Sequence, residues 1–433
     1  GADSLRHADI RRKGTRIRVH DFLQGLPGAC QQQIAHRHNA LQYSLPIYDV
    51  NVGDSRCRLH LNDIIERSGH SSFRWPHAKS GYHQLRNRTI DTLQMLERSK
   101  GVQRAYGLPE DDVVFDATVL PFDWYDEARG ADLGANTCSG AVLPIENTKA
   151  GATYVSRDFD LMAMPLWSGL LGKKPPQGAH NAWSRAIVLE TRPKGGFRSI
   201  HVGGQELLAP WIDAVNEKGV YITAMHDPWG IGDEIGSAGG QDVSGITLTQ
   251  LFAFLLDTCA TVEEAKKAIL KNRIMQTIMR GHLLIADRSG NATAFEIDRY
   301  SQAYVFADRE ANEPLFVTNH PNTSYPDPST YPDFDMDHEH NTFTRLIILR
   351  DTYENLTSLF KKEDVTALTD ATHCAFGDDE LAEAGPKERT LINTTTDLSK
   401  PEISVRWCLG DVGPIEGTNH IEDRMSEYYT FGF

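Results

Sequence analysis

Cys138 stands in the small, polar run Asn136-Thr-Cys-Ser-Gly140, just ahead of the strand-like Ala141-Val-Leu-Pro144. Nineteen residues after Cys138, behind a second strand-like stretch at 152–156, comes Arg157-Asp-Phe-Asp160. A strand–turn–strand of that length returns Arg157 and Asp160 to the beginning of the first strand. A thiol flanked by a guanidinium and a carboxylate is a candidate nucleophile, because nearby positive charge favours the thiolate. On these residues alone, a small buried apolar thiol is the commoner role for a lone cysteine, and both readings stay open.

Other clusters offer weaker chemistry. Gly230-Ile-Gly-Asp-Glu-Ile-Gly-Ser-Ala-Gly-Gly240 lacks the Lys-Ser/Thr of a phosphate loop and a strand–helix setting, so it reads as a lid near the site. Asp327, Asp333, Asp335, Asp337 and Glu339 with His338 and His340 are not ordered as a calcium loop and read as a solvated loop. Trp167, Trp183 and Trp229 suit an acyl pocket or core packing equally. No metal or cofactor is expected.

The elements that must position Cys138 change character along the chain. Residues 1–20 are basic and turn-rich and read as a solvated arm. Periodicity predicts a helix over 83–106 and a short strand over 113–115, with 113–124 apolar enough to dock elsewhere on the chain. After Cys138 the pattern turns to hairpins, 186–192 with 197–203 and 282–287 with 292–298, then a strand over 302–307. Between them lie helices at 248–258 and 262–270, the second opened by a capping box of Thr261 and Glu264. A further helix is expected over 343–360, with Leu346, Ile347 and Leu349 for packing. Antiparallel hairpins interleaved with helix pairs predict a layered α+β architecture.

Composition narrows the partners. The 433 residues carry a formal charge of −15. Residues 1–137 hold 18 Lys/Arg against 17 Asp/Glu, so the remainder holds 26 against 42, a net of −16. Such a surface repels nucleic acid and anionic lipid. No apolar run is long enough to span a bilayer. Six cysteines (Cys30, Cys57, Cys138, Cys259, Cys374, Cys408) lack zinc-site spacing, and with Cys138 free at most two disulfides could form. Asn-x-Ser/Thr triplets at Asn87, Asn291, Asn322, Asn355 and Asn393, and a start at Gly1 rather than Met, lean toward export, although such triplets arise easily by chance.

Cys138-Ser-Gly140 with Arg157-Asp-Phe-Asp160 resembles the Cys-Thr-Gly … Arg-Asn-x-Asp pattern of the choloylglycine hydrolase family, which includes bile-salt hydrolases and penicillin V acylases. Its wider relatives are the acyltransferases of penicillin biosynthesis and the acid-ceramidase-like amidases. Asn216-Glu-Lys-Gly219, the 258–269 helix, the 282–290 hairpin, Val317-Thr-Asn-His320, Thr344-Arg345 and the hairpin of 393–397 with 402–407 are similar to family segments in the same order.

The resemblance implies a four-layer αββα N-terminal-nucleophile hydrolase sandwich with a largely helical N-terminal segment. It also implies autocatalytic cleavage between Thr137 and Cys138, which frees an amine to serve as the base for its own thiol. Asp160 would hold that amine, Arg157 would lie beside the sulfur, and Arg345 would complete the charge network. Asn319 and the backbone N–H of His226 would face the oxyanion, His226 standing where the family has Asn or Tyr. The 137 residues before Cys138 exceed the few that bile-salt hydrolases lose, which favours a retained α-chain 1–137 and a catalytic β-chain 138–433, leaves assembly as a homo-oligomer open, and disfavours bile salts. The implied reaction is hydrolysis of a small N-acylated amide, with acyl transfer or a non-catalytic binding role as alternatives.

Overall fold

The computed structural model describes residues 7–12, 15–21, 137–162, 186–193, 195–204, 212–227, 246–272, 274–275, 281–298, 300–301, 303–327, 329, 331, 342–356, 359–375, 388–418 and 420–433. In chain order the strands are β1 (His7–Arg12), β2 (Thr15–Asp21), β3 (Cys138–Val142), β4 (Tyr154–Met162), β5 (Ala186–Thr191), β6 (Ser199–Gly204), β7 (Asp213–Asn216), β8 (Tyr221–His226) and β9 (Ile246–Thr247). Helices α1 (Leu248–Thr258) and α2 (Val262–Leu270) follow, then β10 (Ile274–Met275), β11 (Gly281–Ala286), β12 (Ala292–Ile297), β13 (Tyr304–Asp308) and β14 (Leu315–Val317). The chain continues through α3 (Thr342–Asn355), α4 (Lys362–Ala371), β15 (Glu388–Asp397), β16 (Glu402–Pro414), β17 (Ile421–Met425) and β18 (Tyr429–Phe431).

Two antiparallel sheets result. The first runs β1-β2-β5-β6-β7-β8-β11-β12-β13, and the second runs β14-β3-β4-β15-β16-β17, with β18 also on β16. Alternation along β3 assigns its faces. Cys138 and Val142 join the core shared with the first sheet, whereas Ala141 packs with Leu346 and Leu349 of α3 and Val365 and Leu368 of α4. A methyl on Gly140 would lie 2.5 Å from Met225 and 3.1 Å from Leu284, so β3 presses directly on β8 and β11. Helices α1 and α2 pack on the first sheet, α1 against β7 and β8. The layers are therefore α, β, β, α, as expected.

Both helices expected at 248–270 form with the predicted bounds. At α2, Thr261 Oγ1 accepts from the Glu264 N–H at 3.2 Å; Glu264 reaches back to the Ala260 N–H rather than to the cap's own. Helix α3 ends at Asn355, short of the expected 360; Leu346 and Leu349 are buried, but Ile347 faces solvent. Residues 7–12 and 15–21, read as a solvated arm in a largely helical segment, form a hairpin that pairs with β5. The overlooked signal is the alternation Thr15-Arg-Ile-Arg-Val-His-Asp21, a period of two. The helix expected at 83–106, the strand at 113–115, the glycine-rich segment 230–240, Trp167, Trp183, Trp229 and most of the acidic run at 326–340 lie outside the described residues.

The Asn216-Glu-Lys-Gly219 motif is structural. Asn216 Oδ1 accepts from the N–H groups of Lys218 and Val220, and its Nδ2 donates to Leu256 and Cys259 carbonyls on the helical layer. Gly219 closes the turn at φ 82°, where a methyl would lie 2.6 Å from the Leu398 carbonyl. Gly219→Ala is expected to lower the unfolding free energy by about 2 kcal/mol, measured by denaturant titration, since a non-glycine residue is strained there. An unchanged midpoint would show that the turn relaxes.

Candidate active site

Cys138 opens β3 rather than preceding it, and Arg157 and Asp160 lie within β4 rather than after it. The register explains their division of labour. Cys138 pairs with Phe159 and Gly140 with Arg157, so Arg157 and the thiol share the face between the sheets. Asp160, one residue out of phase, sits on the helix side of the same strand. The expected juxtaposition of Cys138, Arg157 and Asp160 is thus present on two faces at one sheet end.

Arg157 is fully buried and lies over the Phe159 ring at 4.7 Å. Its Nη2 donates to Cys138 Sγ at 3.2 Å and to the Ala224 carbonyl at 3.2 Å. Nε lies 3.8 Å from Asp213 Oδ1, while Nη1 has no hydrogen-bond partner among the described residues. Asp213 is in turn held by Tyr221 (2.6 Å) and Thr394 (3.1 Å). The His226 N–H donates to the same sulfur. Burial pushes the thiol above its ordinary value; the charges of Arg157 and Arg345 oppose this and Asp160 adds to it. In the uncut chain the sulfur is a protonated thiol.

Around the Thr137–Cys138 bond every polar group is held. The Thr137 carbonyl accepts from the Asp160 N–H at 3.0 Å, and the Cys138 N–H donates to Asn319 Oδ1 at 2.8 Å. Arg345 Nη1 donates to the Cys138 carbonyl and, at 3.0 Å, to Ser139 Oγ; its Nη2 donates to Asn319 Oδ1 at 2.7 Å. One guanidinium from α3 thereby ties β3 to Asn319, two residues after β14. Asn319 Nδ2 donates to the His226 carbonyl at 2.7 Å, so in this state its amide binds β8. Asn319 is fixed from behind as well. Thr342 Oγ1 accepts from its N–H at 2.8 Å, and buried His282 donates from Nε2 to the preceding Thr318 carbonyl at 2.7 Å.

Glu388, 251 residues after Thr137, and Thr390 complete the site, and sequence reading missed both. Thr137 Oγ1 donates to Glu388 Oε1 at 2.7 Å and to Asp160 Oδ2 at 3.2 Å. Glu388 also accepts the Thr137 N–H. Thr390 donates to Asp160 Oδ1 at 2.6 Å. Next to this, Asp158 accepts from Asn393 (2.6 Å) and Thr372 (3.0 Å), and burial pushes its carboxyl up to about 8. Asn393 is wholly buried in that network, so its triplet is no glycosylation site in the folded chain.

Burial, with Asp160 adding, pushes Glu388 up to about 7; the Thr137 hydrogen bonds and Arg345 oppose this. The folded chain therefore keeps a proton that the unfolded chain releases near 4.5, and the associated stability is lost as pH rises through that window. In uncut Cys138→Ala protein, raising pH from about 4.5 to 7.5 should cost about 3 kcal/mol more than in Cys138→Ala/Glu388→Gln. Denaturant unfolding at both pH values measures this. Parallel slopes would mean that Glu388 ionises normally.

Residues 180–366 match the family model described as acyl-coenzyme A:6-aminopenicillanic acid acyl-transferase. The chain is similar to the N-terminal-nucleophile acyltransferases and hydrolases. The matched stretch includes His226, Asn319 and Arg345 and begins after Cys138, Arg157 and Asp160. No curated protein sequence matches the chain. Among solved structures, the C2A mutant of the conjugated bile acid hydrolase from Clostridium perfringens aligns at TM-score 0.44 and 15% identity, over 68% of this chain and 97% of that one. Penicillin V acylase from Agrobacterium tumefaciens aligns at 0.41 and 14%, over 62% and 82%. The Caenorhabditis elegans ortholog of N-acylethanolamine-hydrolyzing acid amidase aligns at 0.39 and 12%, over 61% and 94%. Among the described residues no helix is long and apolar enough to cross a membrane, and no group of three or more His, Cys, Asp or Glu side chains is placed to hold a metal.

Proposed function

We propose that the chain is a precursor that cuts itself between Thr137 and Cys138 and then hydrolyses a linear amide bond of a small N-acylated substrate, with Cys138 as the nucleophile. The observation that carries this reading is the scissile bond itself. Its oxygen is polarised by the Asp160 N–H (3.0 Å), its nitrogen is fixed by Asn319 (2.8 Å), and the adjacent sulfur is held by Arg157 (3.2 Å). A thiol serving only as core filling has no need of that arrangement.

In self-cleavage, Cys138 Sγ attacks the Thr137 carbonyl carbon, the C–N bond breaks, and the thiol proton passes to the departing nitrogen. Water then adds to the thioester, the C–S bond breaks, and the products are a Thr137 carboxylate, the Cys138 thiol and a proton. The freed α-amine has an ordinary pKa of about 7.7–8.0, so it can take the thiol proton near neutral pH. Before cleavage that base does not exist and the thiol is held protonated, which accounts for a latent precursor.

In turnover Sγ attacks the substrate carbonyl. The His226 N–H already meets the sulfur and Asn319 Nδ2 lies against the His226 carbonyl, so both are placed to turn toward an oxyanion. Arg157 Nη1, buried and without an acceptor among the described residues, is a group that a bound acyl oxygen would satisfy. Acyl transfer differs only in that an amine replaces water at the thioester. The similarity of residues 180–366 to an acyl-transferase family supports that second reading.

Mass spectrometry and denaturing electrophoresis test the proposal. Wild-type protein should give fragments ending at Thr137 and starting at Cys138; Cys138→Ala should stay whole and inert toward a panel of N-acyl amides. A wild-type chain that remains intact under all conditions sinks the reading.

A further inference from the structure

In the uncut chain Cys138 is 2% exposed and Thr137 5% exposed. No substrate can reach the sulfur in that state, so cutting the bond is insufficient; the Thr137 end must also leave. What holds it there is a set of contacts suited to a neutral residue. The Thr137 hydroxyl shares its one proton between Glu388 at 2.7 Å and Asp160 at 3.2 Å, its N–H goes to Glu388, and its carbonyl oxygen accepts the Asp160 N–H.

Cleavage places two new charges in this pocket. Adding water across the bond turns the Thr137 carbonyl into a carboxylate with a second oxygen, beside two carboxyl groups. The same event places an ammonium on Cys138, of opposite sign to Asp160. Two cations lie nearby: Arg345, whose Nη1 is committed to Cys138 O and Ser139 Oγ and whose Nη2 is committed to Asn319 Oδ1, and Arg157, which lies on the opposite face of β4 from Asp160. A new carboxylate crowded into a buried site beside Asp160, and beside Glu388 once that group ionises above about pH 7, is disfavoured as like charges are elsewhere, so the peptides below are compared at pH 8.

We propose that Glu388 and Asp160 form a charge-gated latch that grips Thr137 while it is a neutral chain residue and rejects it once it is a chain-terminal carboxylate, thereby uncovering Cys138. The latch rests on the cleavage proposed above. Glu388 acts here as a positioning residue, through Thr137.

The test uses processed wild-type protein, with Cys138 verified as the amino terminus, and two synthetic peptides of residues 130–137. One peptide ends in a free carboxylate and the other in a carboxamide. Protection of Cys138 from iodoacetamide, followed by mass spectrometry, reports occupancy of the pocket. The carboxamide should protect at about tenfold lower concentration than the acid, as for one unit of like-charge perturbation. Processed Glu388→Gln protein should narrow that preference and, without any peptide, label more slowly than wild type because its own Thr137 end stays in place. Equal protection by both peptides, stronger protection by the acid, or protection by neither would overturn the latch while leaving the cleavage reading intact. A wild-type chain that never processes would instead remove the cleavage reading and the latch with it.

Discussion

Asn319→Ala is expected to leave most of the protein uncut and to lower kcat/KM of any processed fraction by about 10²–10³-fold, the usual cost of one oxyanion donor. The two effects have different atomic origins. Before cleavage Oδ1 matters, because it accepts the Cys138 N–H and Arg345 Nη2. During turnover Nδ2 matters, because it is the donor that would turn from the His226 carbonyl toward the oxyanion. Asn319→Asp separates them: it keeps the Oδ1 acceptor and replaces the Nδ2 donor with a second acceptor. It should therefore process but turn over poorly, as intact mass against time and N-acyl amide kinetics would show. If Asn319→Asp and Asn319→Ala behave alike in both assays, the two-stage role is wrong.

Arg345→Met is expected to destabilise the uncut chain by about 3–5 kcal/mol, the range for removing one partner of a buried charged network. The cost arises from what is left behind. The Cys138 carbonyl and Ser139 hydroxyl lose their shared donor, and Asp160 and Glu388 lose a neighbouring cation in a buried setting. Arg345→Lys should recover little, since one ammonium cannot serve β3 and Asn319 together as the two guanidinium nitrogens do. Denaturant unfolding in a Cys138→Ala background, where every chain is whole, isolates the effect from processing. A loss below about 1 kcal/mol would place the network among those that relax without penalty.

Much of the fold was legible because the signals are local. The 248–258 and 262–270 helices carry dense apolar or capped periodic patterns, and the paired hairpins are bounded by turns. Cys138, Arg157 and Asp160 were also legible as neighbours, since a strand–turn–strand returns one to the other. Which face each takes was not, because that depends on where the strand begins. Starting β3 at Cys138 instead of Ala141 sets the register that sends Arg157 to the sulfur and Asp160 away from it. Glu388, Thr390 and Asp213 were invisible for another reason. Glu388 and Thr390 stand in the largely polar strand β15 and Asp213 stands in β7, none within a recognisable cluster, and their meaning comes from strand pairing across long sequence separation. The basic stretch at 11–18 shows the converse error: charge content suggested a solvated arm, while the alternation of Ile17 and Val19 with arginines marks a strand.

The pairing of β2 with β5 joins residues before the proposed cut to residues after it through a shared backbone ladder. A cleaved molecule would then be a complex of two polypeptides whose interface is in part the interior of one sheet. Its melting would become bimolecular, rising with protein concentration, whereas that of the whole precursor would not. Dilution, which leaves an uncut enzyme untouched, would slowly inactivate the mature one by letting its smaller piece drift off.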